Sequence, residues 1–66
     1  MANDITGVWR NNRTSGLYQV VHSDYKIVEP NTGEILVMYY NVDDNDPVFF
    51  VRGTVEFKAL YTKLEP

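Results

Sequence analysis

One stretch limits what this chain can become. It is the uncharged run Ile35-Leu36-Val37-Met38-Tyr39-Tyr40, entered from Glu34 and preceded by Pro30-Asn31-Thr32-Gly33. The run is rich in β-branched and aromatic residues, which suit a pleated, packed surface. It is too short for a typical helix, and turn formers bound it on both sides. Ile35, Val37 and Tyr39 share one face of such a strand; Leu36, Met38 and Tyr40 share the other. Apolar residues at consecutive positions require both faces to be at least partly covered. An uncharged run of this kind on a sheet edge would invite aggregation. The expectation is therefore a central strand with a neighbour on each side. Pro30 presets φ early in the turn and Gly33 supplies a positive φ, so a hairpin is predicted, with residues 25–29 as the partner strand.

A chain of 66 residues makes one domain. At this size only roughly 60% of the unfolded surface is buried, so stability is marginal. There is no cysteine, which removes disulfides and thiolate metal sites. Nine aromatic residues and the aliphatics must supply the core, with a dimer interface as a further source. Net charge is −3, nine acids against six bases. That balance argues against a general phosphate-binding surface, while leaving room for a local basic patch. The start Met-Ala-Asn-Asp has neither the basic region nor the apolar core of a signal peptide. No apolar stretch approaches the roughly 20 residues that span a bilayer. A cytoplasmic protein with no membrane role is expected.

The rest of the chain reads as short strands between turns. Residues 1–6 are polar and expected to be loose. Gly7-Val8-Trp9-Arg10 is a first strand, with Trp9 or Val8 facing in. Residues 11–16 are turn formers and make a loop. Residues 17–21 are a second strand, and 22–24 a bend. Asp43, Asp44 and Asp46 sit in an acidic loop closed by Pro47, and residues 48–52 form the next strand. Thr54 is the expected N-cap of a short helical turn over residues 55–60, with Glu56 in its first turn and Phe57 and Leu60 pointing inward. Residues 61–64 close the structure as a last strand. The fold class is all-β: a small SH3-like barrel, or a curled five-stranded antiparallel sheet, with one helical turn. A five-stranded OB-type barrel usually needs more chain.

Gly7-Val8-Trp9-Arg10, Leu17-Tyr18-Gln19-Val20, Thr32-Gly33-Glu34-Ile35-Leu36-Val37-Met38-Tyr39 and Phe50-Val51-Arg52 followed by Glu56 and Phe57 resemble a short bacterial and phage family. That family is catalogued as domain of unknown function family 1653. The resemblance runs from about Gly7 to Phe57. Its most specific piece is the Thr-Gly-Glu turn leading into Leu-Val-x-Tyr, with Val-Arg further on. The family tends to carry a proline where this chain has Gly53, a shorter and more basic first loop, and no acidic insert. The resemblance implies a small β domain of bacterial or phage origin, and no catalytic residue.

His22-Ser23-Asp24 holds the residue types of a hydrolytic triad, but neighbours in an extended chain point to opposite faces and cannot converge on one atom. As the sole histidine, His22 cannot belong to a multi-histidine metal site. Asp43, Asp44 and Asp46 lack the mid-loop glycine and the spacing of a calcium loop, so they read as a solvated face for a basic partner. Arg52 is expected to pair with Glu56 or an acid of the 43–46 loop. Arg10 and Arg13 are the one close basic pair. No catalytic set and no cofactor site emerges. The expected function is a non-enzymatic protein-binding module, phage-encoded and acting on a bacterial host protein. Its partner-binding residues are Trp9, Arg10, Arg13, Tyr40, Asp43, Asp44, Asp46 and Arg52. The alternatives are a nucleic-acid-binding barrel that stacks bases on exposed Tyr or Trp, and a homodimer that enlarges its core across an exposed strand.

Overall fold

The computed structural model describes residues 5–22 and 27–64. The elements are β1 (Gly7–Asn11), β2 (Leu17–His22), β3 (Leu36–Asn41), β4 (Phe50–Gly53), α1 (Thr54–Leu60) and β5 (Tyr61–Lys63). The five strands form one antiparallel sheet in the order β4-β3-β2-β1-β5. β4 and β5 are the two edges, and α1 joins them while packing against β3, β4 and β5. The sheet thus curls into a half-barrel that the helix closes. This is a small all-β fold consistent with the SH3-like class.

β3 takes the interior position that its uncharged run demands, with β2 on one side and β4 on the other. Val37 and Tyr39 are buried on the concave face, while Leu36, Met38 and Tyr40 are half-buried on the convex face. The long ladder of β3 on this side is with β2. Of the expected partner segment 25–29, residues 27–29 are described, and among them the pairing is one bridge, Val28 to Ile35. It is flanked by the Glu29 N–H to the Glu34 carbonyl at 2.9 Å and the Leu36 N–H to the Ile27 carbonyl at 2.8 Å. The physical reason is burial: Val20 on β2 offers the concave face a side chain with no exposure, whereas Val28 is 45% exposed. Ser23–Lys26, which include most of the His22-Ser23-Asp24 bend, lie outside the described residues.

The turn itself forms as its residues require. Gly33 has φ +75° and its N–H donates to the Glu29 carbonyl at 2.8 Å. The Glu29 carboxylate accepts the N–H groups of Asn31 and Thr32, each at 2.8 Å. These bonds, that of the Thr32 N–H first, hold the Glu29 carboxyl below the usual range.

Phe57 is the centre of the core. It has no exposed surface. Its ring stacks on Tyr61 at 4.3 Å, meets Trp9 edge-on at 5.0 Å, and lies 4.9 Å from Tyr39. Ile5, Val20 and Val37 complete the cluster. Ile5, expected in a loose segment, is buried, and its carbonyl accepts the Trp9 indole N–H at 2.8 Å. Leu60 is 43% exposed instead of pointing inward, because Phe57 and the following Tyr61 fill the space beneath the helix.

Thr54 does not cap α1; Gly53 stands at that position without a side-chain bond. The Thr54 hydroxyl donates instead to the Ile35 carbonyl at 2.8 Å, which the Thr54 N–H also reaches at 3.0 Å. β4 begins at Phe50, not Val48, since no ladder forms along Val48 and Phe49 after Pro47.

Gly53 has φ −59° and ψ 142°, values natural to proline. Opposed residues in an antiparallel pair exchange both bonds or neither. Because Thr54 N–H bonds Ile35, the Leu36–Gly53 pair is the non-bonded kind, and the Gly53 N–H faces the open edge. The atoms nearest a Cβ there belong to the Glu34 carboxylate, the end of an exposed, flexible side chain that swings aside. Gly53→Pro should therefore raise stability by about 0.4–1 kcal/mol, through the reduced entropy of the unfolded chain. Thermal unfolding checks this; a lowered midpoint would place a needed hydrogen bond on that N–H.

Candidate binding site at the loop end of the half-barrel

The 11–16 loop, the 42–49 loop and the C-terminal end of α1 lie at one end of the sheet. Backbone bonds tie them there: Asn11 N–H to the Gly16 carbonyl at 2.8 Å, Val42 N–H to Leu17 at 3.1 Å and Asn12 N–H to Leu60 at 3.0 Å. Side chains shape both loops. Asn11 Oδ1 accepts the N–H groups of Arg13 and Thr14 at 2.8 and 3.0 Å. Asn41 Oδ1 accepts the Asp43 N–H at 2.8 Å, and Asp44 Oδ1 the Asp46 N–H at 3.1 Å. Asn and Asp favour such local bonds, which is why these stretches leave the ladder.

Two adjoining clefts open at this end. The larger, about 390 Å³, is lined by Asn11, Asn12, Arg13, Thr14, Arg52, Ala59, Leu60 and Tyr61. The smaller, about 200 Å³, lies among Tyr18, Tyr39, Phe50, Arg52 and Tyr61. Arg52 and Tyr61 belong to both. Arg52 Nε donates to the Tyr39 hydroxyl at 3.1 Å, and Nη1 sits 3.3 Å from Glu56 Oε2. The bond to Tyr39 is the main reason the guanidinium's pKa is raised. The expected Arg52–Glu56 pair thus forms, and with Tyr39 it fixes the fork at the cleft wall. Tyr61 is pushed up to about 12, first by burial and then by a hydrogen bond with Tyr39; Asn11 acts in the opposite sense. The rings of the smaller cleft meet at angles: Tyr18 to Tyr61 at 5.4 Å and 90°, Tyr18 to Tyr39 at 5.7 Å and 78°.

The structure divides the residues picked from sequence. Arg13 and Arg52 come together at the larger cleft. Asp43, Asp44 and Asp46 are exposed on the neighbouring loop. Arg10 lies on the convex face opposite Leu17 and Thr62, away from Arg13. Tyr40 is also convex, half-buried, with the Phe49 ring 5.6 Å away. Trp9 is a correction: it is buried in the core with its indole N–H bonded to the Ile5 carbonyl, and it presents no open ring face. Strand parity explains the exchange, since Trp9 lies opposite Tyr18 on the concave face beneath Phe57. Sequence reasoning missed Tyr18, Phe50 and Tyr61 as cleft residues. Tyr18 was within reach of it, two positions from Val20 and therefore on the same face. Tyr61 was not, because only the helix and its pairing with Asn11 bring it there.

Among the described residues no group of His, Asp and Glu gathers as a metal-holding cluster, and no helix is long and apolar enough to cross a membrane. In comparisons with known proteins, no family model, no curated protein and no solved structure matches this chain.

Proposed function

We propose that this chain is a non-enzymatic, protein-binding module whose contact surface is the loop end of the half-barrel. The observation that carries the reading is the convergence there of Arg13, Arg52 and the open aromatic cleft, with the acidic 43–46 loop at the same end. Apolar ring faces flanked by both signs of charge suit a folded or peptidic partner with a mixed surface. The resemblance to the small bacterial and phage domain family fits a phage-encoded module, and a bacterial host protein in the cytoplasm is its proposed partner. A nucleic-acid role fits less well. Trp9, one of its stacking platforms, is buried, and the acidic loop repels a phosphate chain.

The test starts with a pull-down from bacterial lysate, with and without nuclease, read by mass spectrometry. Against the recovered partner, joint alanine substitution of Asp43, Asp44 and Asp46 should weaken binding about tenfold, at up to ~0.5 kcal/mol for each rim charge, and flatten its salt dependence. Unchanged affinity and salt slope would remove the acidic loop from the surface.

A second reading has its own observation. β4 is an edge strand, and around it Val48, Phe49 and Val51 are 63%, 54% and 49% exposed. Such an edge is a template for pairing with a second copy. Sedimentation over a range of concentrations distinguishes this homodimer from a monomer that keeps the edge for a partner.

A further inference from the structure

We infer that the paired clefts take a carboxylate and an adjoining apolar side chain from one peptide segment of the partner, the carboxylate in the larger cleft and the apolar group in the smaller. The inference rests on the protein-binding reading and names what that surface recognises.

The larger cleft is a donor-rich pocket in an acidic protein. No acid lines it, and two arginines do. Three side-chain oxygens on its wall are already engaged. Asn11 Oδ1 takes two backbone N–H groups, Asn12 Oδ1 takes the Thr62 hydroxyl at 2.6 Å, and Thr14 Oγ1 takes the Gly16 N–H at 3.2 Å. The Leu60 carbonyl at the end of α1 is met by the Asn12 N–H, which blunts the unfavourable end of the helix dipole. The N–H donors left beside them are the Asn12 side-chain amide, the exposed Arg13, and the part of the Arg52 fork not used by Tyr39 and Glu56. Planar guanidinium forks favour carboxylate oxygens over neutral ones, and charge-assisted bonds are the stronger kind.

Shape and surroundings limit the anion further. The smaller cleft shares Arg52 and Tyr61 with the larger, so a group bound in one abuts a group bound in the other. Its walls are Tyr18, Tyr39 and Phe50, and Phe50 is 44% exposed. A ring or branched aliphatic side chain would cover those faces and desolvate the arginines beside them. Net charge and the 43–46 loop disfavour a polyanion, so an isolated carboxylate is selected over a phosphate chain.

The experiment is a heteronuclear NMR titration of the full chain with Ac-Gly-Glu-Phe-Gly-amide, its Gln and Lys analogues in place of Glu, and a short oligothymidylate. The Glu peptide should shift the Nε–H signals of Arg13 and Arg52 and the rings of Tyr18 and Tyr61. The Gln analogue should bind at least about tenfold more weakly, and Arg13→Gln, an exposed loop change that leaves the core intact, should remove most of that difference. Equal shifts from the Glu and Gln peptides, or none from either at millimolar concentration, overturn the inference. Shifts from the Lys peptide alone, confined to the 43–46 loop, overturn it while the protein-binding reading stands. Binding of oligothymidylate with no peptide response overturns both.

Discussion

Phe57→Ala should leave the chain largely unfolded at room temperature. Phe57 is fully buried and touches three other rings, those of Trp9, Tyr39 and Tyr61. Truncating a buried phenylalanine costs about 3–5 kcal/mol, the lost transfer energy plus the cavity left behind. A single core of this size rarely supplies more than about 3–5 kcal/mol in total, and with no cysteine a disulfide cannot add to it. The two figures are comparable, so one substitution removes most of the folded population. The effect is also topological, because Phe57 is the side chain through which α1 packs on β1, β3 and the edge strand β5. Far-ultraviolet circular dichroism and the dispersion of the amide NMR spectrum check it. Phe57→Leu, which keeps most of the volume, should cost less and remain folded. If Phe57→Ala melts within a few degrees of the parent, the helix is not what closes the half-barrel.

The second large effect is a loss of stability in alkali. The Tyr61 hydroxyl titrates near 12 in the folded chain against about 10 when unfolded, first because it is buried. The folded state therefore holds the proton more tightly than the unfolded state does. Its contribution is fully present below about pH 10 and is lost as pH rises through about 12. Screened by the solvent that still reaches the hydroxyl, a difference of this size is worth on the order of 1–2 kcal/mol. Urea midpoints measured from pH 8 upward should stay level to about pH 10 and then fall. In Tyr61→Phe the fall over that interval should shrink, because the group that loses its proton is gone. Persistence of the full fall in Tyr61→Phe would assign it to other tyrosines.

What could be read from residue order was what depends on neighbours along the chain. The turn at Pro30–Gly33 follows from φ preferences and from short-range bonds, and it forms with Gly33 at positive φ. The inward parity of Val37 and Tyr39 follows from the period of two along a strand; the helical turn around Phe57 and the short-range Arg52–Glu56 pair are local as well, and all are present. The partner of β3 was not readable in this way. Residues 25–29 and β2 are both short, apolar and within reach of a hairpin or a longer return. The choice between them rests on which side chains fill the concave face.

The same division holds for the candidate site. Arg13 and Arg52 are 39 positions apart in the chain, and nothing local pairs them. Trp9 looked like a surface anchor because tryptophan often is one, yet its position opposite Tyr18 places it under Phe57.

By itself, the sequence determined that this is a small β domain built around a buried, uncharged strand, without disulfides and with three of its nine acids in one short loop. Strand propensity, turn chemistry and charge are properties of nearby residues, so no fold is needed to see them. Only the tertiary structure decided that β2 covers that strand, that α1 seals the curled sheet through one ring, and that two distant arginines share a cleft with Tyr61. Those outcomes depend on competition for a single core, and contacts between distant segments settle that competition.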